Sequence, residues 1–206
     1  MARRVRPVVL LVLVTGLVAV CGRGDARPLC GTEPGAVPRE VTSSLPCRKR
    51  DMRVLDFVRH VEVPAFTHFV AADHFREGRT PGGLSITWIG ANFLRRFAHK
   101  VEEYASAREL DVYELKRSAG NDAIIDDIGG QPETTLHDVW VLLERQAHGE
   151  DGPLRTDSRP NVFYVRDAEG VLWAVDAVWG GAGWEIGASA LDERRLWGAP
   201  ASVIAR

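Results

Sequence analysis

The sequence predicts an α+β fold, with two to three helices packed on a twisted antiparallel sheet that ends in a three-stranded meander. Three observations carry the prediction. The runs NVFYVR, VLWAVDAVW and WEIGASAL alternate as strands do and are joined by the turn-forming DAEG and GGAG. Ahead of them, Leu136, Val139, Trp140 and Leu143 form one apolar stripe, with Thr135 and Asp138 placed as a reciprocal capping box. Residues 51–206 show neither an internal repeat nor a heptad run, which argues for a single domain.

Read from the amino terminus, MARRVR supplies a positive region, and PVVLLVLVTGLVAV is apolar but short for a membrane span. Residues 1–26 are expected to be a signal peptide cleaved after Ala26, so the protein is expected to be secreted, periplasmic or on the cell envelope. Cleavage would remove four arginines and one aspartate, moving the net charge from −2 to −5. LVAVC is similar to a bacterial lipobox, although Val20 departs from its small residue. Cys21 is therefore a lipidation candidate, and a membrane contact would come only through that lipid or an uncleaved signal. Residues 27–50 read as a Pro/Gly-rich linker. Cys30 and Cys47 within it are expected to pair as a disulfide worth about 3 kcal/mol.

The single α+β domain is expected over 51–206. Asp51 is placed to cap a helix with Val54, Leu55, Val58 and Val61 at helical spacing, ending before Pro64. Residues 65–76 leave helix and strand open, HFREGRTPGG reads as a loop, and LSITWI as a strand. A second helix is expected from Asn92, with Phe93, Leu94, Phe97, Val101 and Tyr104 on one face. LDVYEL is a strand and AIIDDIGG a short apolar turn. The Thr135 helix is expected to stop at Gly149, followed by the loop EDGPLRTDSRP. A helix-covered curved sheet of this kind also fits an NTF2-like cone, by fold analogy alone.

Four-residue turns place Val162, Tyr164, Arg166, Val171, Trp173, Val175, Ala177, Trp179, Trp184, Ile186, Ala188 and Ala190 on one face of the meander. Phe163, Val165, Leu172, Ala174, Asp176, Val178, Glu185, Gly187 and Ser189 take the other, and a bulge in GGAG would swap the third strand. Trp179 and Trp184 fall opposite each other. The first face reads as core beneath the Thr135 helix; in the alternative, Trp173 and Trp184 form an aromatic platform for sugars or peptides. On the second face, Asp176 interrupts an apolar strand beside Gly187, with Glu185 within diagonal reach. Two such carboxylates with split pKa values are candidates for acid–base catalysis.

Outside the meander, His60, His68 and His74, with Asp73, are candidate metal ligands, although their spacing matches no zinc pattern. His60-Val61-Glu62 has the H-x-E of zinc deaminases without the cysteine pair that chemistry requires. Arg76, Arg95 and Arg96 are candidates for an anion, the last two expected in the first turn of their helix, against its dipole. The mild acidity gives no footprint for nucleic acid. No GxSxG, SxxK, P-loop or EF-hand pattern occurs, and a strand follows GGAGWEIG where a dinucleotide site needs a helix. No cofactor is implied.

The segments NVFYVRDAEGVLWAVDAVWGGAGWEIGASA, GQPETTLHDVW and AADHF resemble those of uncharacterised bacterial proteins. The resemblance implies a bacterial source and no activity. The expected function is a non-catalytic binding or accessory protein of the cell envelope, with a protein, a glycan or a small anion as its partner. The alternative is a secreted hydrolase or lyase using Asp176 and Glu185 or the histidines.

Overall fold

The computed structural model describes residues 53–206. The expected signal peptide, Cys21, the linker and the Cys30–Cys47 pair lie outside the described residues. The first half contains β1 (Leu55–Val63), β2 (Phe69–Val70), α1 (Ala71–His74), β3 (Gly78–Arg79), β4 (Ser85–Ile89), α2 (Ala91–Phe97) and β5 (Val101–Glu102). It continues with β6 (Arg108–Leu115), α3 (Asn121–Ile128), β7 (Glu133–Thr134) and α4 (Leu136–Arg145). The meander is β8 (Asn161–Arg166), β9 (Leu172–Trp179) and β10 (Trp184–Ala190), and β11 (Ser202–Ala205) follows.

The fold is α+β and mostly sheet. The main sheet runs β1-β6-β11-β8-β9-β10-β4-β3, with β7 beside β8, while β2 and β5 pair separately. It is mixed rather than antiparallel: β11 and β7 each run parallel to β8, and β4 parallel to β10. Hairpins force antiparallel pairing only on strands adjacent in sequence, and these three strands arrive from distant parts of the chain. Among the described residues no helix is long and apolar enough to cross a membrane.

Both faces of the sheet bury apolar residues. On one face α1, α2 and α4 pack Phe75, Phe93, Phe97, Val139, Trp140 and Leu143 against Phe163, Trp173, Val175, Trp184 and Ile186. On the other, Ile124 of α3 joins Trp197, Val162, Tyr164, Ala174 and Val203. The capping box forms as expected: the Thr135 hydroxyl accepts from Asp138 N–H, and the Asp138 carboxylate accepts from Thr135 N–H.

Besides the mixed pairing, and four helices among the described residues where two to three were expected, four further expectations need correction. Residues 55–63 form β1, not a helix, because the segment pairs with β6 along its length, from Leu55 opposite Leu115 to Val63 opposite Arg108. Its helical spacing is produced by a bulge. Phe57 faces Tyr113 and Arg59 faces Val112, so Val58 is the extra residue, and Leu55 and Val61 enter opposite cores. Next, α2 ends at Phe97. Lys100 N–H bonds Phe97 O, and Val101–Glu102 then pairs with β2, leaving Tyr104 exposed. Arg95 and Arg96 consequently lie in the last turn, where the helix dipole favours cations.

AIIDDIGG, thirdly, is the body of α3, closed by Gly129 at φ 94° with its N–H on Asp126 O. Finally, β8 faces opposite to the expected way. Arg166 pairs with Leu172, so the β8–β9 loop includes Val171 and has five residues rather than four. Asp167 shapes it: its carboxylate accepts from Glu169 N–H, Val171 N–H and Trp173 Nε1. Phe163 and Val165 therefore join Trp173, while Val162 and Tyr164 join Asp176. Trp179 does meet Trp184, edge to face at 5.4 Å.

A pH response follows from the aromatic cluster over α4. His137 is buried against Phe66 with ring centroids 4.2 Å apart, and its Nδ1 has no hydrogen-bond partner among the described residues. His74 stacks on Phe69 and contacts Trp140. Burial lowers both imidazoles below their ordinary 6.5, against the pull of Asp138 on His137 and of Glu144 on His74. The unfolded chain therefore takes up protons first as pH falls below 6.5, and stability drops through that window until the folded-state pKa values are passed. The urea midpoint is expected to be lower at pH 5 than at pH 7.5, with a shallower drop in His137→Gln. An identical pH slope in that variant would assign the response elsewhere.

Candidate functional site

Asp176 and Gly187, which interrupt the apolar alternation of the meander, sit directly opposite each other on β9 and β10. The pairing has a steric reason. A Cβ on Gly187 would lie 2.7 Å from Asp176 Oδ1, so only glycine lets the carboxylate lie across the neighbouring strand. Asp176 is 8% exposed. Burial pushes its carboxyl above the ordinary 3.8, and the Arg195 guanidinium opposes that shift. The guanidinium reaches both carboxylate oxygens, each at 3.4 Å, a long fork for a charge-assisted pair. Arg195 is itself laid over the Trp197 ring, 3.9 Å from its centroid.

A second bulge supplies the rim. Ile86 faces Trp184 and Trp88 faces Glu185, so Thr87 is the extra residue in β4. Without it Trp88 would follow Ile86 into the core; with it Trp88 emerges on the Asp176 face, 51% exposed. Its ring folds over Gly90, where a Cβ would meet it at 2.8 Å. Trp88, Gly90, Asn92, Asp176, Gly187 and Arg195 line a hollow of about 430 Å³. The Asn92 amide is held by Ala188 O and by Arg95, whose Nη2 donates to Asn92 Oδ1 at 2.6 Å. Ser189, on the same face as Gly187, has a buried hydroxyl with no partner among the described residues.

Four larger hollows lie elsewhere, the two biggest of about 590 and 650 Å³. The first is lined by Arg155, whose guanidinium is taken up by Asp157 and Glu114 at 2.6 Å each. The second shares Arg195 and runs along residues 191–196. The hollow over Asp176 has in its lining a buried carboxylate whose pKa burial raises.

The residues singled out from sequence fall in different places. Asp176 lines the hollow; Glu185 shares its face, opposite Val178, but does not line it. Trp184 is fully buried and Trp173 nearly so, which removes both from any binding surface. The arginines do not converge. Arg76 pairs with Asp73, Arg95 with Asn92, and Arg96 bridges Glu169 while lying 4.9 Å from the Trp173 centroid. Nor do the histidines converge: His68 faces Glu103 and His74 stacks on Phe69, while His60 lies beside Glu109 and Asp111.

The sequence reading missed Trp88, Asn92 and Arg195 as parts of one site. The one available signal was the pair of glycines, Gly90 and Gly187, adjoining polar or aromatic residues within strand patterns. Compared with known proteins, the chain matches no family model, no curated protein and no solved structure.

Proposed function

We propose that this is an exported, non-catalytic binding protein of the cell envelope, and that it holds a glycan in the hollow between Trp88 and Arg195. The observation that carries the reading is the buried Asp176 carboxylate beneath an exposed tryptophan, loosely forked by Arg195. A carboxylate accepts from sugar hydroxyls, a guanidinium donates to their oxygens, and an indole face covers the C–H side of a pyranose ring. The hollow's volume is within the range of small-ligand sites. Of the acids expected to act together, only Asp176 lines the hollow, which favours holding a ligand over acid–base attack on it. Export rests on the amino-terminal sequence pattern. For the architecture we infer a helix-covered, strongly twisted sheet akin to an NTF2-like cone, supported by α1, α2 and α4 sharing one face.

The test is tryptophan fluorescence of the full chain against a panel of mono- and oligosaccharides. Trp140, Trp173, Trp184 and Trp197 are buried and Trp179 is partly covered, so Trp88 dominates both acrylamide quenching and any ligand response. The expected result is a saturable change for at least one sugar, abolished in Trp88→Ala and in Asp176→Asn with the fold intact. No response across the panel, or a response indifferent to Trp88, overturns the glycan reading.

A further inference from the structure

We propose that His60, Glu109 and Asp111 form a binding site for a divalent first-row transition ion of the Zn²⁺ or Co²⁺ type. The site is independent of the Asp176 hollow, because β1 and β6 lie at the opposite edge of the sheet from β4 and β10. One nitrogen or oxygen from each of the three residues lies within 4.8 Å of the other two. His60 Nδ1 is 2.7 Å from Asp111 Oδ1 and 3.3 Å from Glu109 Oε1. One imidazole with two carboxylates suits Zn²⁺ or Co²⁺ better than Ca²⁺ or Mg²⁺, which favour oxygen ligands throughout.

The backbone is arranged to bring an imidazole, and not a guanidinium, to this point. In an unbroken ladder Arg59 would follow Phe57 on the same face and stand opposite Asp111. The Val58 bulge sends Arg59 to the other face, opposite Val112, and sets His60 opposite Asp111. A guanidinium would pair with these carboxylates but cannot ligate a metal, since it stays protonated and has no acceptor. An ordinary ion pair needs no bulge; Arg59 would have made a stronger one.

The three groups are also held from behind. Tyr113 donates its hydroxyl to Asp111 Oδ2 at 2.9 Å, fixing the carboxylate plane while Oδ1 stays turned to His60. The Phe57 ring lies against His60, centroids 4.6 Å apart, and meets Tyr113 edge-on. Outer partners of this kind orient metal ligands. The side chains of His60 and Glu109 are more than half exposed, so water can complete the coordination sphere and the ion enters directly from solvent.

The experiment is a Co²⁺ titration of the full chain, followed by visible absorption and by NMR of the histidine and tyrosine rings, with Zn²⁺ competition by calorimetry. The chain has three cysteines, and thiolate ligation would appear as intense near-ultraviolet charge-transfer bands distinct from a nitrogen–oxygen site. The expected result is one site whose occupancy broadens the His60 and Tyr113 ring resonances and is displaced by Zn²⁺. In His60→Gln binding there is lost; in Tyr113→Phe it weakens by about tenfold or more, as outer-shell losses do. Both variants should keep the wild-type circular dichroism spectrum and urea midpoint, since His60 is exposed and Tyr113 partly so. Unchanged affinity in His60→Gln, or Co²⁺ binding that leaves the His60 and Tyr113 rings untouched, overturns the proposal.

Discussion

Asp138→Ala is expected to lower stability by about 3–5 kcal/mol, the range for breaking a buried ion pair from one side. Asp138 is fully buried at the start of α4. Its Oδ1 accepts from Arg108 Nη2 at 2.6 Å and its Oδ2 from Thr135 N–H at 2.8 Å. The same guanidinium donates to Thr135 Oγ1, so β6 and the helix cap are joined through one charge pair. Truncation strands a guanidinium that is only 10% exposed and undoes half of the capping box. Urea denaturation at pH 7 should show a lower midpoint with an unchanged slope. Adding Arg108→Ala should recover part of the loss, because the stranded charge is then gone. A loss below about 1 kcal/mol would place the pair with solvent-screened bridges.

Trp184→Ala should cost a similar amount, about 3–5 kcal/mol. The side chain is wholly buried between α4 and the sheet, edge-on to Trp179, with Nε1 donating to Gln146 O at 3.0 Å. Gln146 also organises the chain beyond α4, accepting from Leu154 N–H and donating to Glu150 O and Leu154 O. The cavity thus opens against a segment that depends on the same residue. Trp184→Phe keeps most of the volume and should lose less, chiefly the hydrogen bond. Trp88→Ala, on the open face, should change stability by no more than about 0.5 kcal/mol. Equal costs at positions 88 and 184 would mean that these two tryptophans do not divide into rim and core.

The meander and α4 were legible because their signals are local: a capping box at Thr135 and Asp138, turn residues at DAEG and GGAG, and unbroken alternation through β9 and β10. What could not be read were one-residue insertions. Val58, Thr87 and Val171 each shift the alternation by one step, and no residue type at these positions announces it. Val58 made a strand look helical, Thr87 turned Trp88 outward, and Val171 reversed β8. The Asp176–Gly187 neighbourhood could be read because β9 and β10 pair without an insertion between them. Arg195 could not, because it reaches Asp176 from a loop 19 residues away whose course depends on Trp197 docking beside Asn121. Neither His68 nor His74, named beside His60 from sequence, lies with it; its neighbours Glu109 and Asp111 on β6 are set by the bulged register.

The position of β11 bears on how the sheet comes together. It is the last strand in chain order, yet it lies in the middle of the sheet, antiparallel to β6 on one side and parallel to β8 on the other. Without residues 202–205, β1 and β6 have no ladder to the meander, and the sheet is left as two halves with open edges. Joining the two halves therefore waits on a pairing of high sequence separation, and losing this one short strand would open two strand edges at once.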